Sequence, residues 1–190
     1  MNRHFLLVGV AALSLTLAAC GQKNDQTAAV APDANPAATI PTPTDETSAP
    51  EFVAKAAAGD MFEIEAGRIA LERSVNAEVK AFAQMMVDGH ARTTADLKTA
   101  IAASGLTITP PAMLPDDKST ALADLRAVDA GDFDKKYMAG QVDAHQATLN
   151  LMSRYAQDGD NPQIKAAAAA MLPTIQEHLD KARTLRDSLT

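Results

Sequence analysis

Apolar residues recur at spacings of three and four over several long stretches of the chain, and each stretch reads as a helix with one face on a shared core. Ser48, Ala49, Pro50 and Glu51 open the first. Ser and Glu stand three apart, as in a capping box, with Pro near the first helical position. This helix is predicted to run to about Ser74. Asn76 is placed to cap the second, with Glu78 in the first turn, where the helix dipole favours a carboxylate. It stops near Ser104 and Gly105, and Pro110, Pro111 and Pro115 mark a connection. A short amphipathic helix from Asp117 to about Ala130 carries Leu122, Leu125 and Val128, and Gly131 ends it. Asp132 is then expected to cap a third long helix reaching about Gln157, and Asn161 with Pro162 to start a fourth that continues nearly to Thr190. Nowhere do β-branched and aromatic residues alternate long enough for a strand.

Two of these segments resemble each other. Residues 76–86 (NAEVKAFAQMM) align with residues 161–171 (NPQIKAAAAAM), and residues 52–59 (FVAKAAAG) align with 133–140 (FDKKYMAG). Similar hairpins joined by a long crossover give the ferritin-like form of the four-helix bundle. The expected fold is therefore all-α: a ferritin-like four-helix bundle whose crossover between the second and third long helices contains a short extra helix.

The N-terminal region has a different pattern. Arg3 and His4 precede an apolar run from Phe5 to Leu17, too short to span a bilayer and fitting a secretory signal. The run ends Leu17-Ala18-Ala19-Cys20, which resembles the bacterial lipobox, and Cys20 is the only cysteine. Residues 1–19 are expected to be a cleaved signal peptide, with Cys20 lipidated. Gly21 rather than Asp follows, which by analogy points to the outer membrane, facing the periplasm. Residues 20–50, rich in Ala, Thr and Pro with little to bury, read as a tether that could extend on the order of 90 Å. Residues 51–190 form the bundle domain. The charge is acidic, 24 Asp and Glu against 17 Lys and Arg, with no basic cluster or aromatic series, which excludes a general nucleic-acid binder. The expected partners are the membrane, through the anchor, and a protein partner.

Assigning faces at about 100° per residue puts His90 in the apolar stripe of the second helix, with Val79, Phe82, Ala83, Met86, Leu97 and Ile101. His145 falls in the stripe of the third, with Tyr137, Met138, Gln141, Leu149 and Met152. His178 falls in that of the fourth, among Ile164, Ala168, Met171, Ile175, Leu179, Ala182 and Leu189. On the first helix, Glu65, Arg68 and Glu72 share a polar face, while Glu63 lies among Phe52, Ala56, Gly59, Ala66 and Ala70. At 1.5 Å rise per residue, ferritin-like connectivity lets Glu63, His90, His145 and His178 meet near one level. Burying four such groups is costly unless they are paired or metal-bound. They therefore form a hydrogen-bonded core network or a transition-metal site, and three imidazoles with one carboxylate suit zinc, copper or iron. A di-iron ferroxidase is not expected. Glu-x-x-His is absent, and the Asp-x-His pairs turn Asp88 and Asp143 outward. Met86, Met138, Met152 and Met171 share the histidine faces, as copper(I) ligands or as core filling. No phosphate loop, nucleophile elbow or free nucleophilic cysteine occurs.

The stretches 63–67 (EIEAG), 79–90 (VKAFAQMMVDGH), 133–137 (FDKKY), 142–145 (VDAH) and 172–179 (LPTIQEHL) resemble domain-of-unknown-function family 4142, bacterial exported proteins with a ferritin-like bundle. The resemblance covers about Glu51 to Leu189. It implies fold and location rather than a reaction, and Gly89 stands where the family commonly has an Asp before the histidine. The first expectation for function is a non-catalytic, membrane-anchored periplasmic binding or envelope-stress module. The alternative is a metal-binding protein for redox chemistry or sequestration. A scaffold docking partners along the first helix is a third.

Overall fold

A computed structural model describes residues 47–189. Five helices follow one another: α1 (Ala49–Arg73), α2 (Ala77–Ala103), α3 (Asp116–Ala127), α4 (Phe133–Asp158) and α5 (Pro162–Ser188). Among the described residues no strand occurs, and no helix is long and apolar enough to cross a membrane. The signal, Cys20 and nearly all of the tether lie outside the described residues.

The two similar hairpins are packed pairs, α1 with α2 and α4 with α5. Their caps are equivalent. Asn76 Oδ1 accepts from the backbone N–H of Glu78 and Val79, at 2.8 and 3.3 Å. Asn161 Oδ1 accepts from Gln163 and Ile164, at 3.1 and 3.2 Å. α1 is capped differently from expectation. The helix begins at Ala49 with Ser48 at the N-cap position, as the capping pattern predicts, but Ser48 makes no side-chain cap bond. The Ala49 N–H instead donates to Asp160 Oδ1 at 2.9 Å, across the bundle end, where the Tyr155 hydroxyl donates to the same oxygen at 3.0 Å. The capping carboxylate thus comes from the α4–α5 turn. Asp132 precedes α4 without a side-chain cap bond. Gly105, at φ 73°, takes the left-handed conformation that closes α2.

The core divides into two apolar halves. One contains Phe52, Val53, Leu97, Met152, Tyr155 and Ile164, where Phe52 and Tyr155 stack with centroids 4.1 Å apart. The other contains Ile69, Val79, Phe82, Phe133, Tyr137 and Leu179. These memberships fix the directions. α1 and α5 run from the first half to the second, and α2 and α4 run the opposite way, so the crossover traverses the bundle. Ile108 packs on the first half and Leu114, Leu122 and Leu125 on the second. The short helix ends at Ala127, earlier than expected. Arg73 Nη1, from α1, holds its end by donating to the carbonyls of Leu125 and Arg126, both at 2.8 Å, and the guanidinium lies 4.6 Å from the centre of the Phe133 ring. Met86 and Met138 belong to one apolar half and Met152 and Met171 to the other, as gap-filling side chains do.

Candidate metal centre

Between the two apolar halves lies a layer of buried polar side chains drawn from all four long helices. α1 contributes Asp60 and Glu63, α2 His90 and Thr93, α4 Gln141 and His145, and α5 His178. Helical periodicity explains why each faces inward, since every one continues its helix's apolar stripe. His90, His145 and His178 are 2, 1 and 4% exposed, so bulk water does not solvate them. Their rings form a near-equilateral triangle, with centroids 5.5, 5.5 and 5.7 Å apart. One nitrogen from each can be chosen so that all three lie within 4.8 Å of one another. The cluster is thus capable of coordinating a metal ion.

The partners of the outer nitrogens decide the tautomers, because a carboxylate and a carbonyl only accept. The His90 Nδ1–H donates to Asp60 Oδ1 at 2.8 Å. The His145 Nδ1–H donates to the Gln141 carbonyl at 2.8 Å. Each neutral ring therefore carries its lone pair on Nε2, and these two atoms face each other at 3.4 Å. Two such acceptors repel at that distance unless a metal ion, or a proton donated from one ring to the other, lies between them. Tetrahedral zinc with Zn–N bonds of 2.0–2.1 Å would separate two ligand nitrogens by about 3.3 Å. His178 Nδ1 is buried with no hydrogen-bond partner among the described residues. Such an orphan costs about 1–3 kcal/mol unless something binds it.

Asp60 is anchored in turn by Thr93 Oγ1 at 2.8 Å and Thr94 Oγ1 at 3.0 Å, so its orientation is fixed before His90 uses it. A carboxylate–imidazole pair of this kind orients a ligating histidine and raises its basicity. Sequence reasoning missed Asp60. Its signal was the spacing of three from Glu63 and four from Ala56, which puts it on the same inward face. Glu63 is buried as expected, but it stands outside the set of three. Gln141 Nε2 donates to its Oε2 at 2.6 Å. Its negative charge still acts on the cluster, raising the proton affinity of His90 and His145.

Burial opposes charging His90 most strongly, yet the Asp60 hydrogen bond and the charges of Glu63 and Asp60 outweigh it, so its pKa lies above the usual histidine value. Burial, reinforced by His90, leaves that of His145 lowered despite Glu63. Burial and the neighbouring histidines push His178 down to about 3. Two of the three imidazoles are thereby held neutral, the form that can bind a metal. Asp60 and Glu63 are the buried acids, and among the described residues no Lys or Arg is buried with them. With neutral imidazoles the layer carries negative charge that a divalent cation would balance.

Gly89 has a specific role here. A Cβ at this position would lie 2.7 Å from His178 Cε1 and 3.2 Å from its Nε2. The absence of a side chain on α2 is what lets the α5 imidazole reach the triangle. Gly89→Ala is therefore expected to displace His178 and weaken metal binding by at least about the 10–100-fold lost when a supporting contact to a metal ligand is removed. Calorimetric titration checks this. An unchanged affinity would show that His178 has room to spare.

The described residues thus form a four-helix bundle with a crossover helix and a buried layer of three histidines capable of coordinating a metal ion. The chain belongs to the family described as Domain of unknown function (DUF4142), which matches residues 33–185. No curated protein and no solved structure matches it.

Proposed function

We propose that this protein binds one divalent transition-metal ion, zinc, copper or iron, through His90, His145 and His178, on an exported and lipid-anchored bundle. The observation that carries the reading is the buried cluster of His90, His145 and His178, whose ligand nitrogens lie within 4.8 Å of one another, with His178 Nδ1 left without a hydrogen-bond partner among the described residues. Asp60 orients His90, the Gln141 carbonyl orients His145, and Gly89 admits His178. Glu63 supplies negative charge from outside the ligand set. A bound ion would supply Lewis acidity, and copper or iron would add electron transfer. Three protein ligands leave a coordination position free. The missing catalytic motifs fit sequestration or electron transfer as well as they fit a passive binding module, because neither needs a protein nucleophile.

The test is metal content. Purified protein titrated with zinc, copper(II) and iron(II) is expected to bind one equivalent of at least one of them, and chelator should remove it with a fall in melting temperature. Elemental analysis showing no bound metal after each titration would sink the reading.

Support for the location is the signal-like run and Leu17-Ala18-Ala19-Cys20. Cys20→Ser is expected to abolish labelled palmitate incorporation. Incorporation equal to the parent would refute the anchor. Docking along α1 gains no support. The exposed large apolar side chains among the described residues, Val75, Leu106 and Met113, lie in connections rather than on that helix.

A further inference from the structure

The metal reading leaves open how an ion reaches a fully buried layer. Three surface depressions bear on this. One, of about 1040 Å³ between α2 and α5, lies over Phe82, Met85 and Leu185 and is lined by none of the layer residues. A second, of about 920 Å³ between α1, α4 and the crossover, reaches Glu63, but Lys55, Lys118 and Arg154 line it against a single further acid, Asp117. Three cations outnumber that acid and disfavour entry of a dication, and Glu63 is already engaged by Gln141 Nε2. The third is a cleft of about 190 Å³ between α2 and α5, lined by Gly89, Thr93, Met171 and Thr174, with Arg92 and Asp96 among its other residues.

We infer that this third cleft is the port through which a hydrated divalent cation passes between solvent and the histidine cluster. The inference rests on the metal-binding reading and adds a route and its chemistry. Gly89 forms the shared wall: its missing Cβ is the atom that would otherwise lie against the His178 ring. Thr93 also belongs to both places. It lines the cleft, and its hydroxyl donates to Asp60 Oδ1 at 2.8 Å, directly beside the His90 contact. Thr174 stands one turn before His178 on α5, and Met171 two turns before it. The volume equals roughly six waters at about 30 Å³ each, which passes a cation with part of its hydration shell. Beyond the wall, the carboxylates of Asp60 and Glu63 draw a cation inward and repel anions.

The experiment is zinc exchange in the full-length mature protein, following release to a chromophoric chelator and uptake by stopped flow. Ala170, exposed on α5 at the cleft, is replaced by Phe as a plug. Ala147, exposed in the α1–α4 groove, is replaced by Phe as the control. Ala170→Phe is expected to slow uptake and release by the same factor, about tenfold or more, because obstruction of a route leaves the equilibrium untouched. Ala147→Phe should match the parent. Arg92→Glu, a surface change with little bearing on folding, should speed uptake several-fold at low ionic strength, with the gain vanishing at high salt. Parent-like rates in both Ala170→Phe and Arg92→Glu, or slowing by Ala147→Phe instead, would overturn the port while leaving metal binding intact. A parent protein that takes up no zinc, copper or iron would overturn the metal reading and the port with it.

Discussion

Replacing His145 with Gln is expected to erase the metal-dependent part of the protein's thermal stability while leaving the metal-free protein at least as stable as the parent. An ion present at about a thousand times its dissociation constant stabilises the folded state by about 4 kcal/mol. For a domain of this size that raises the melting temperature by roughly 10 °C. Losing one ligand of three removes most of this gain, since even removal of a supporting contact costs about 10–100-fold in affinity. The metal-free comparison runs the other way. His145 Nε2 faces His90 Nε2 at 3.4 Å, and both atoms carry lone pairs when His90 is neutral. A Gln side chain offers an N–H that can donate to His90, which relieves that repulsion. The bond lost, from His145 Nδ1 to the Gln141 carbonyl, lies within one helix. Opposite signs with and without metal mark a residue kept for binding. Equal destabilisation of the metal-free and metal-loaded protein would mean that His145 is a core residue, and it would count directly against the site.

Acid should release the ion and then weaken the bundle. A proton on His90 Nε2 competes with the metal for the same lone pair. Because the pKa of His90 is raised above 6.5, that competition begins above pH 6.5, and binding there should release part of a proton per ion, more as pH falls. His145 and His178, whose values are lowered, join the competition only in more acid solution. Asp60→Asn removes the carboxylate that holds the proton on His90. It should shift the onset of competition to lower pH while weakening intrinsic binding by about 10–100-fold. For the metal-free fold the signs differ by residue. His178, at about 3 when folded and 6.5 when unfolded, gives stability that is complete above pH 6.5 and lost as pH falls towards 3. His145 acts in the same direction. His90 acts oppositely: its contribution is complete below pH 6.5 and disappears as pH rises through its raised value. Below pH 6.5 only His145 and His178 still change, so the metal-free fold is acid-labile there. Denaturant melts from pH 6.5 to pH 4 measure it, and a metal-free protein whose stability rises on acidification over that range would contradict the assignment.

The sequence by itself determined the helices, the twin Asn caps, the crossover and the inward direction of His90, His145 and His178. Each depends on residues within one or two turns of one another. An amphipathic stripe turns its own members to the core, and an Asn bonds N–H groups two and three residues ahead. The similar hairpins then restrict how four such stripes can meet, which is why a common level for the histidines was legible before any contact was known. Tertiary structure alone decided the rest. Asp60 meets His90 over 30 residues of chain, and Asp160 caps α1 over 111. Glu63 shares a face with Asp60, yet a one-turn difference in depth hands one acid to a histidine and the other to Gln141. The tautomers follow from those partners, and the need for Gly89 follows from the approach of α5 to within a methyl group of α2. Helical periodicity fixes the direction of a side chain to within a face, about 100° wide. A hydrogen bond or a ligand distance needs a few tenths of an ångström. That precision comes from the relative rotation and axial shift of packed helices, which the interlocking of two apolar halves sets and no single segment encodes.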